Sequence, residues 1–161
     1  MSSAPVRFRD PRSTEYDFLD SMLVRCPRCE RIAHFERRPC TPPSTDCGTH
    51  PHSRLVCRSC GLCRDGSRAF RSSRYPNDCS YPPLWLRTDT RHGELWAYNL
   101  QHLDLIRRFI AADLRERAPW YDHGRKMTLV GRLPAWMKSA KNRDELLRAV
   151  NRLRATVIAP G

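Results

Sequence analysis

Four cysteines in two matching pairs carry the clearest chemistry in this chain. Cys26-Pro27-Arg28-Cys29 and Cys57-Arg58-Ser59-Cys60 each place two thiols across two intervening residues. That spacing lets a tight knuckle of backbone aim both sulfurs at one ion, and two such knuckles complete a tetrahedron. Gly61 follows the second pair and supplies the permissive backbone such a knuckle needs. The expected cofactor is a single Zn2+, bound by Cys26, Cys29, Cys57 and Cys60. Its role is architectural, because four thiolates close the coordination sphere and leave no position for a catalytic water.

Four further cysteines, Cys40, Cys47, Cys63 and Cys79, stand at irregular spacings with His34, His50 and His52, so a second ion is not expected. Cys63 is the alternative ligand. It forms an overlapping C-x-x-C with Cys60, although Gly61 favours the Cys57/Cys60 pair. The first twelve residues hold charges and Pro5 but no apolar stretch of signal-peptide type, and the chain has no run of about 18 apolar residues that would span a membrane. The expected location is the reducing cytoplasm, with no membrane partner, where paired C-x-x-C motifs bind metal rather than form disulfides.

The elements around these cysteines must bring two distant knuckles together. Each pair follows apolar residues suited to a short strand, which reads as a ribbon of antiparallel hairpins. The segment 16–24 leads into Cys26 as either a short helix or a strand. The 27 residues between Cys29 and Cys57 exceed the roughly 15–20 of common four-cysteine sites. Pro39, Pro42, Pro43 and Pro51 account for the excess as a loop insertion.

Beyond a second turn-rich stretch at 72–83, the apolar groups Leu84-Trp85-Leu86 and Leu95-Trp96-Ala97-Tyr98 flank a polar stretch at 88–93. They suggest a β-hairpin with a longer turn whose two tryptophans anchor the core. Asn99 can cap a helix with Leu100, Leu103, Ile106, Ile110 and Leu114 on one face, stopped before Pro119. Pro134 opens a short helix over 133–140. Asn142 and Glu145 resemble a capping box for a last helix with Leu146, Val150 and Leu153 as its apolar stripe. The fold class is α+β: a flexible arm over 1–12, a zinc-ribbon region with a long loop insertion over 13–80, then a hairpin and two or three helices packed on it over 81–161.

Charge points to a partner. Formal net charge is +12, with 26 Arg against 3 Lys. Guanidinium groups bond phosphate in two-pronged fashion and stack on bases, so nucleic acid, bound without sequence specificity through phosphate, is the natural partner class. A GC-rich coding bias toward Arg, with a merely solubilising surface, reads the same composition equally well. Arg58, Arg64, Arg68, Arg71 and Arg74 lie near Phe70 and Tyr75 and form one candidate surface. Lys138, Lys141, Arg143 and Arg152 form a second. Alternatively the chain is a protein-interaction module that docks on a protein of a nucleic-acid-processing complex, with Trp120, Tyr121 and Trp136 as exposed anchors or as core.

No phosphate-binding loop, HExxH or GxSxG is present, so a non-catalytic protein is expected. A remote enzyme reading is a metal-dependent nuclease using His92, Asn99 and His102, with Asn99 and His102 too close together for the usual order.

The motifs CPRC at 26–29, CRSCG at 57–61, LWAYNLQHLDLI at 95–106 and RLPAWMKSAKNRDELL at 132–147 resemble, in that order, a group of small bacterial zinc-ribbon proteins of the transcription-factor-IIB ribbon type. The likeness covers most of the chain after about residue 20. It implies a four-cysteine zinc ribbon and no particular activity. Members often carry further cysteines in the turn that corresponds to residues 88–93, where this chain has none, so the resemblance implies no second metal site here.

Overall fold

The computed structural model describes residues 4–38, 52–66, 82–116 and 128–158. Over these it is a mixed α+β structure with a four-cysteine cluster toward the N-terminal side. The chain divides into two compact units. One comprises Phe18–Leu86 and Ala97–Asn99; the other comprises Met1–Asp17, Arg87–Trp96 and Leu100–Gly161. The cysteine-bearing unit is thus inserted into the path of the other one. The loop at 39–51, the stretch 67–81, Cys40, Cys47, Cys79 and His50 lie outside the described residues, as do Arg68, Arg71, Arg74, Trp120 and Tyr121.

The cysteine-bearing unit is built on a four-stranded antiparallel meander of β2 (Ser21–Arg25), β3 (Ile32–Arg38), β4 (His52–Val56) and β5 (Cys63–Gly66). Register places Leu23 opposite His34, His34 opposite Val56 and Val56 opposite Cys63. Of the two structures open to residues 16–24, a short 3-10 turn at Glu15–Asp17 precedes a strand. Met22, Leu23 and Val24 are all buried, although a strand alternates faces. The free edge of β2 explains this. It is covered by segments whose backbones bond to it: Leu23 donates to the Tyr98 carbonyl at 2.8 Å, Trp85 donates to Leu23 at 2.9 Å and Arg25 donates to Pro83 at 2.8 Å. The Asn99 amide closes the same edge by donating to the carbonyls of Ser21 at 2.8 Å and Phe18 at 3.2 Å. Phe35, Leu55 and Ala33 fill the core beneath the sheet.

β6 (Leu86–Thr90) and β7 (Gly93–Ala97) form a hairpin with a tight turn at Arg91-His92, shorter than the sequence suggests, and all of it but Leu86 and Ala97 belongs to the other unit. Leu86, Leu95 and Ala97 take the inward positions, and the alternation of the strand turns Trp96 outward. Trp96 is exposed and Trp85 half-buried, so the tryptophans do not form the core; the aliphatic residues beside them do. Gly93 sits at φ +145, and a Cβ there would lie 3.2 Å from the Trp136 ring, so the close approach of indole to backbone requires glycine. Trp136 also stacks on His92 at 6.1 Å and is half-buried within this unit.

Helix α1 (Leu100–Ala111) buries Leu103, Ile106 and Ile110 as the stripe requires, and α3 (Arg143–Ile158) buries Leu146, Val150 and Leu153. Between them lies the one-turn helix α2 (Ala135–Lys138), preceded by Pro134. The expected stripe breaks at its end. Leu114 is not on α1 but on β8 (Leu114–Glu116), 45% exposed.

Residues 7–9, which the sequence places in a flexible arm, are the reason. They form β1 (Arg7–Arg9), paired in parallel with β8, Arg7 opposite Leu114 and Arg9 opposite Glu116. Val6 caps the junction: its N–H donates to Asp113 Oδ2 at 3.0 Å, and its carbonyl accepts from Asp113 N at 2.9 Å. Those bonds give the backbone at 113–114 partners outside the helix, so α1 ends at Ala111. Phe8 drives the pairing. It is buried and meets Phe109 edge-on at 5.4 Å.

Candidate metal centre

The meander sets the site. Hairpins β2–β3 and β4–β5 both turn at the same end of the sheet, and β3 lies beside β4, so their two turns become neighbours. These turns are the knuckles, and they are local copies of each other. In the first, Cys26 N–H donates to the Arg31 carbonyl at 2.8 Å; in the second, Cys57 N–H donates to the Leu62 carbonyl at 2.8 Å. The residue four beyond the leading cysteine is left-handed in both, Glu30 at φ 59 and Gly61 at φ 70. Only the second knuckle fills that position with the residue that takes it without strain.

This asymmetry makes a prediction. Nothing lies within 4 Å of a Cβ built at Gly61, so Gly61→Ala meets only the backbone penalty, about 1–2 kcal/mol. Glu30 is exposed, and Glu30→Gly should relieve a penalty of similar size, about 1 kcal/mol. Denaturant midpoints should shift in opposite directions for the two variants.

The four sulfurs converge. Cys26 Sγ lies 3.7 Å from Cys60 Sγ, and Cys29 Sγ lies 3.5 Å from Cys57 Sγ. All four lie within 4.8 Å of one another, Cys26 and Cys57 buried and Cys29 and Cys60 half-buried. A tetrahedral ion with metal–sulfur bonds of about 2.3 Å needs sulfurs about 3.8 Å apart along each edge. The Cys26–Cys60 and Cys29–Cys57 edges match, so the donor set fits one tetrahedral metal ion. None of the four is in a disulfide.

Backbone amides tune the thiols. Burial opposes ionisation of Cys26, but the N–H groups of Cys29 and Arg28, the latter 3.4 Å from Sγ, and the thiols of Cys57 and Cys60 outweigh it, lowering Cys26 to about 6. The Arg31 amide favours the Cys29 thiolate, yet burial and the three neighbouring sulfurs overcome it and push Cys29 up to about 12. A sulfur tetrahedron without its cation accepts one negative charge readily and resists the next.

Cys63, the alternative ligand, lies outside the cluster. It is exposed on β5, opposite Val56, with the Arg54 guanidinium 3.7 Å from its Sγ. Sequence spacing alone offered Cys60 to either neighbour. The strand that begins at Cys63 removes it from the knuckle.

The basic candidates separate in the same way. Arg58 and Arg64 are exposed in the cysteine-bearing unit. In the other unit, Lys141 and Arg152 are exposed, while Lys138 donates to the Gly131 carbonyl at 2.9 Å. Arg143 is half-buried and bonds Asp113 at 2.6 Å and the Ala112 carbonyl at 2.8 Å. It clamps the start of α3 to the end of α1 and is a structural residue, not a free cation. Missing from the sequence-based set are Arg25, Arg28 and Arg31, all exposed around the first knuckle. Their three-residue spacing through the first C-x-x-C pair was the available signal.

The triplet His92, Asn99 and His102 does not present itself to a substrate. His102 is 2% exposed, with the edge of Trp96 5.7 Å away, and Asn99 is engaged with backbone carbonyls. Burial lowers His102 to about 4. Because its folded value lies below the unfolded one of about 6.5, the unfolded chain binds the extra proton. Stability is therefore intact above pH 6.5 and falls as pH drops toward 4, by about 3 kcal/mol in all. Urea midpoints at pH 7 and pH 4.5 should diverge less for His102→Leu than for the parent chain.

Comparison of the chain with protein-family models, with curated proteins and with solved structures gives no match. Function therefore rests on the site itself and on the motifs that suggested it.

Proposed function

We propose that this protein is a non-catalytic, nucleic-acid-associated accessory or regulatory protein whose four-cysteine cluster is a zinc ribbon holding one structural Zn2+ in the reducing cytoplasm. The observation that carries the reading is the sulfur tetrahedron at the tips of two equivalent hairpin knuckles. All-thiolate tetrahedral sites suit zinc or iron, and the short separations favour one mononuclear ion, since the bridging sulfides of an iron–sulfur cluster hold its cysteines farther apart. Four protein ligands leave no open position, so the ion's contribution is to fold the unit rather than to react.

Nucleic acid as partner is supported by the net charge of +12, supplied almost wholly by arginine. Protein purified without added metal should carry one zinc per chain by mass spectrometry of the element. It should bind mixed-sequence DNA or RNA at low salt and lose affinity steeply as salt rises. An iron chromophore would remove zinc from the reading; failure to bind any nucleic acid at low salt would remove the partner.

A further inference from the structure

Arginines of the described surface fall into two groups. At least nine hold a carboxylate within 4.0 Å, among them Arg7 and Arg9 on Glu116, Arg54 on Asp65 and Arg132 on Glu15. Seven exposed arginines have no carboxylate partner among the described residues: Arg148 and Arg152 on α3 of the other unit, and a larger group of five, Arg25, Arg28, Arg31, Arg58 and Arg64, in the cysteine-bearing unit. These five surround the metal centre. Arg25 is the last residue of β2, Arg28 and Arg58 lie inside the two knuckles, Arg31 closes the first, and Arg64 is the second residue of β5.

Compensation of the metal site does not account for them. Four thiolates around a divalent ion carry two formal negative charges, and Glu30 adds one carboxylate at the first knuckle. The five guanidinium groups still leave a positive excess. Clustering like charges costs stability, and a polyanion that meets the cluster relieves that cost. The mounting is also rigid. Arg28 and Arg58 stand on loops that the metal cross-links, and the Arg25 guanidinium rests over the Trp85 ring at 5.4 Å from its centroid. Cations held this way lose little freedom on meeting a ligand.

We infer that the knuckle end of the sheet is a phosphate-backbone binding surface for nucleic acid, formed by Arg25, Arg28, Arg31 and Arg58 with Arg64 beside them. This rests on the nucleic-acid reading above and names the surface that serves it. Each guanidinium can take two phosphate oxygens, the contacts carry no base information, and binding is independent of sequence.

The test uses the full zinc-loaded chain, a short mixed-sequence oligonucleotide and fluorescence anisotropy across a salt series. The variant Arg28→Gln/Arg31→Gln/Arg58→Gln should bind at least tenfold more weakly at low salt, with the slope of log K against log salt reduced by about 2–3. Its zinc content should match the parent. The same three positions as Arg→Lys should keep the parental slope, and Arg107→Gln, on α1, should change nothing. Parental affinity and slope in the triple Gln variant would overturn this surface while leaving the nucleic-acid function standing. No binding by the parent chain would overturn both. Equal affinity for polyglutamate of the same charge would assign the surface to an acidic protein instead and overturn it as a nucleic-acid site.

Discussion

Serine at position 57 is expected to abolish stoichiometric metal binding and to destabilise the cysteine-bearing unit as severely as a chelator does. Cys57 is 1% exposed, its N–H closes the second knuckle on Leu62, and its Sγ lies 3.7 Å from the Ile32 carbonyl and 3.5 Å from Cys29 Sγ. It is the point at which both knuckles meet. With the ion present at a thousand times its dissociation constant, binding contributes about 4 kcal/mol, and that contribution disappears with the ligand. Elemental analysis with thermal melting, with and without chelator, reads the effect: the parent should lose stability on chelation and Cys57→Ser should not respond. Cys63→Ser is the contrasting variant. Metal content unchanged in Cys57→Ser, or lost in Cys63→Ser, would show that the ligand set is wrong.

The same site fixes a direction with pH. At pH 7 the metal-free cluster holds Cys26, near 6, mostly as thiolate and Cys29, near 12, as thiol, so the entering ion must displace at least the Cys29 proton. Affinity should rise with pH, and fall more steeply below about pH 6, where Cys26 gains its proton as well. Chelator competition across pH 5–8 measures this.

Phe8→Ala should cost about 3 kcal/mol or more, the loss expected for a large aromatic leaving a well-packed site. Phe8 is 5% exposed and packs edge-on against Phe109. Its neighbours offer the comparison. Arg7 and Arg9 pair with Glu116 at 3.3 Å each, but their side chains are 66% and 80% exposed, so alanine at either should cost well under 1 kcal/mol. Urea unfolding of the three variants decides whether β1 is held by its buried ring or by its ion pairs. A loss below 1 kcal/mol for Phe8→Ala would mean that residues 7–9 contribute little to the unit.

Which parts of this structure can be read from residues alone follows from the range of the interactions. The C-x-x-C pairs specify knuckles because the spacing, the turn and the following left-handed position are all local. The apolar stripes of α1 and α3 are local for the same reason. Leu114 misled because periodicity extends a helix for as long as no competitor is visible, and its competitor is a strand more than a hundred residues earlier. Val6 and Phe8 alternating with Arg7 and Arg9 did carry a two-residue period, but three residues of strand are too short to stand out against Pro5 and Pro11. Trp85 and Trp96 show a different limit: size suggests a core anchor, whereas the pleat decides which side of a strand faces inward. Arg143 shows a third, since a charge in sequence does not disclose that a carboxylate and a carbonyl already hold it.

The parallel pairing of β1 with β8 also sets an order of events during synthesis. Val6 emerges 107 residues before the Asp113 it bonds. At about 5–20 residues per second, that interval is roughly 5 s or longer. Throughout it the Phe8 ring has no Phe109 to meet, while the strands of the cysteine cluster, Ser21 to Gly66, are completed well before its end. The cysteine-bearing sheet can therefore form while residues 6–9 wait, and the unit that contains them is the last to close.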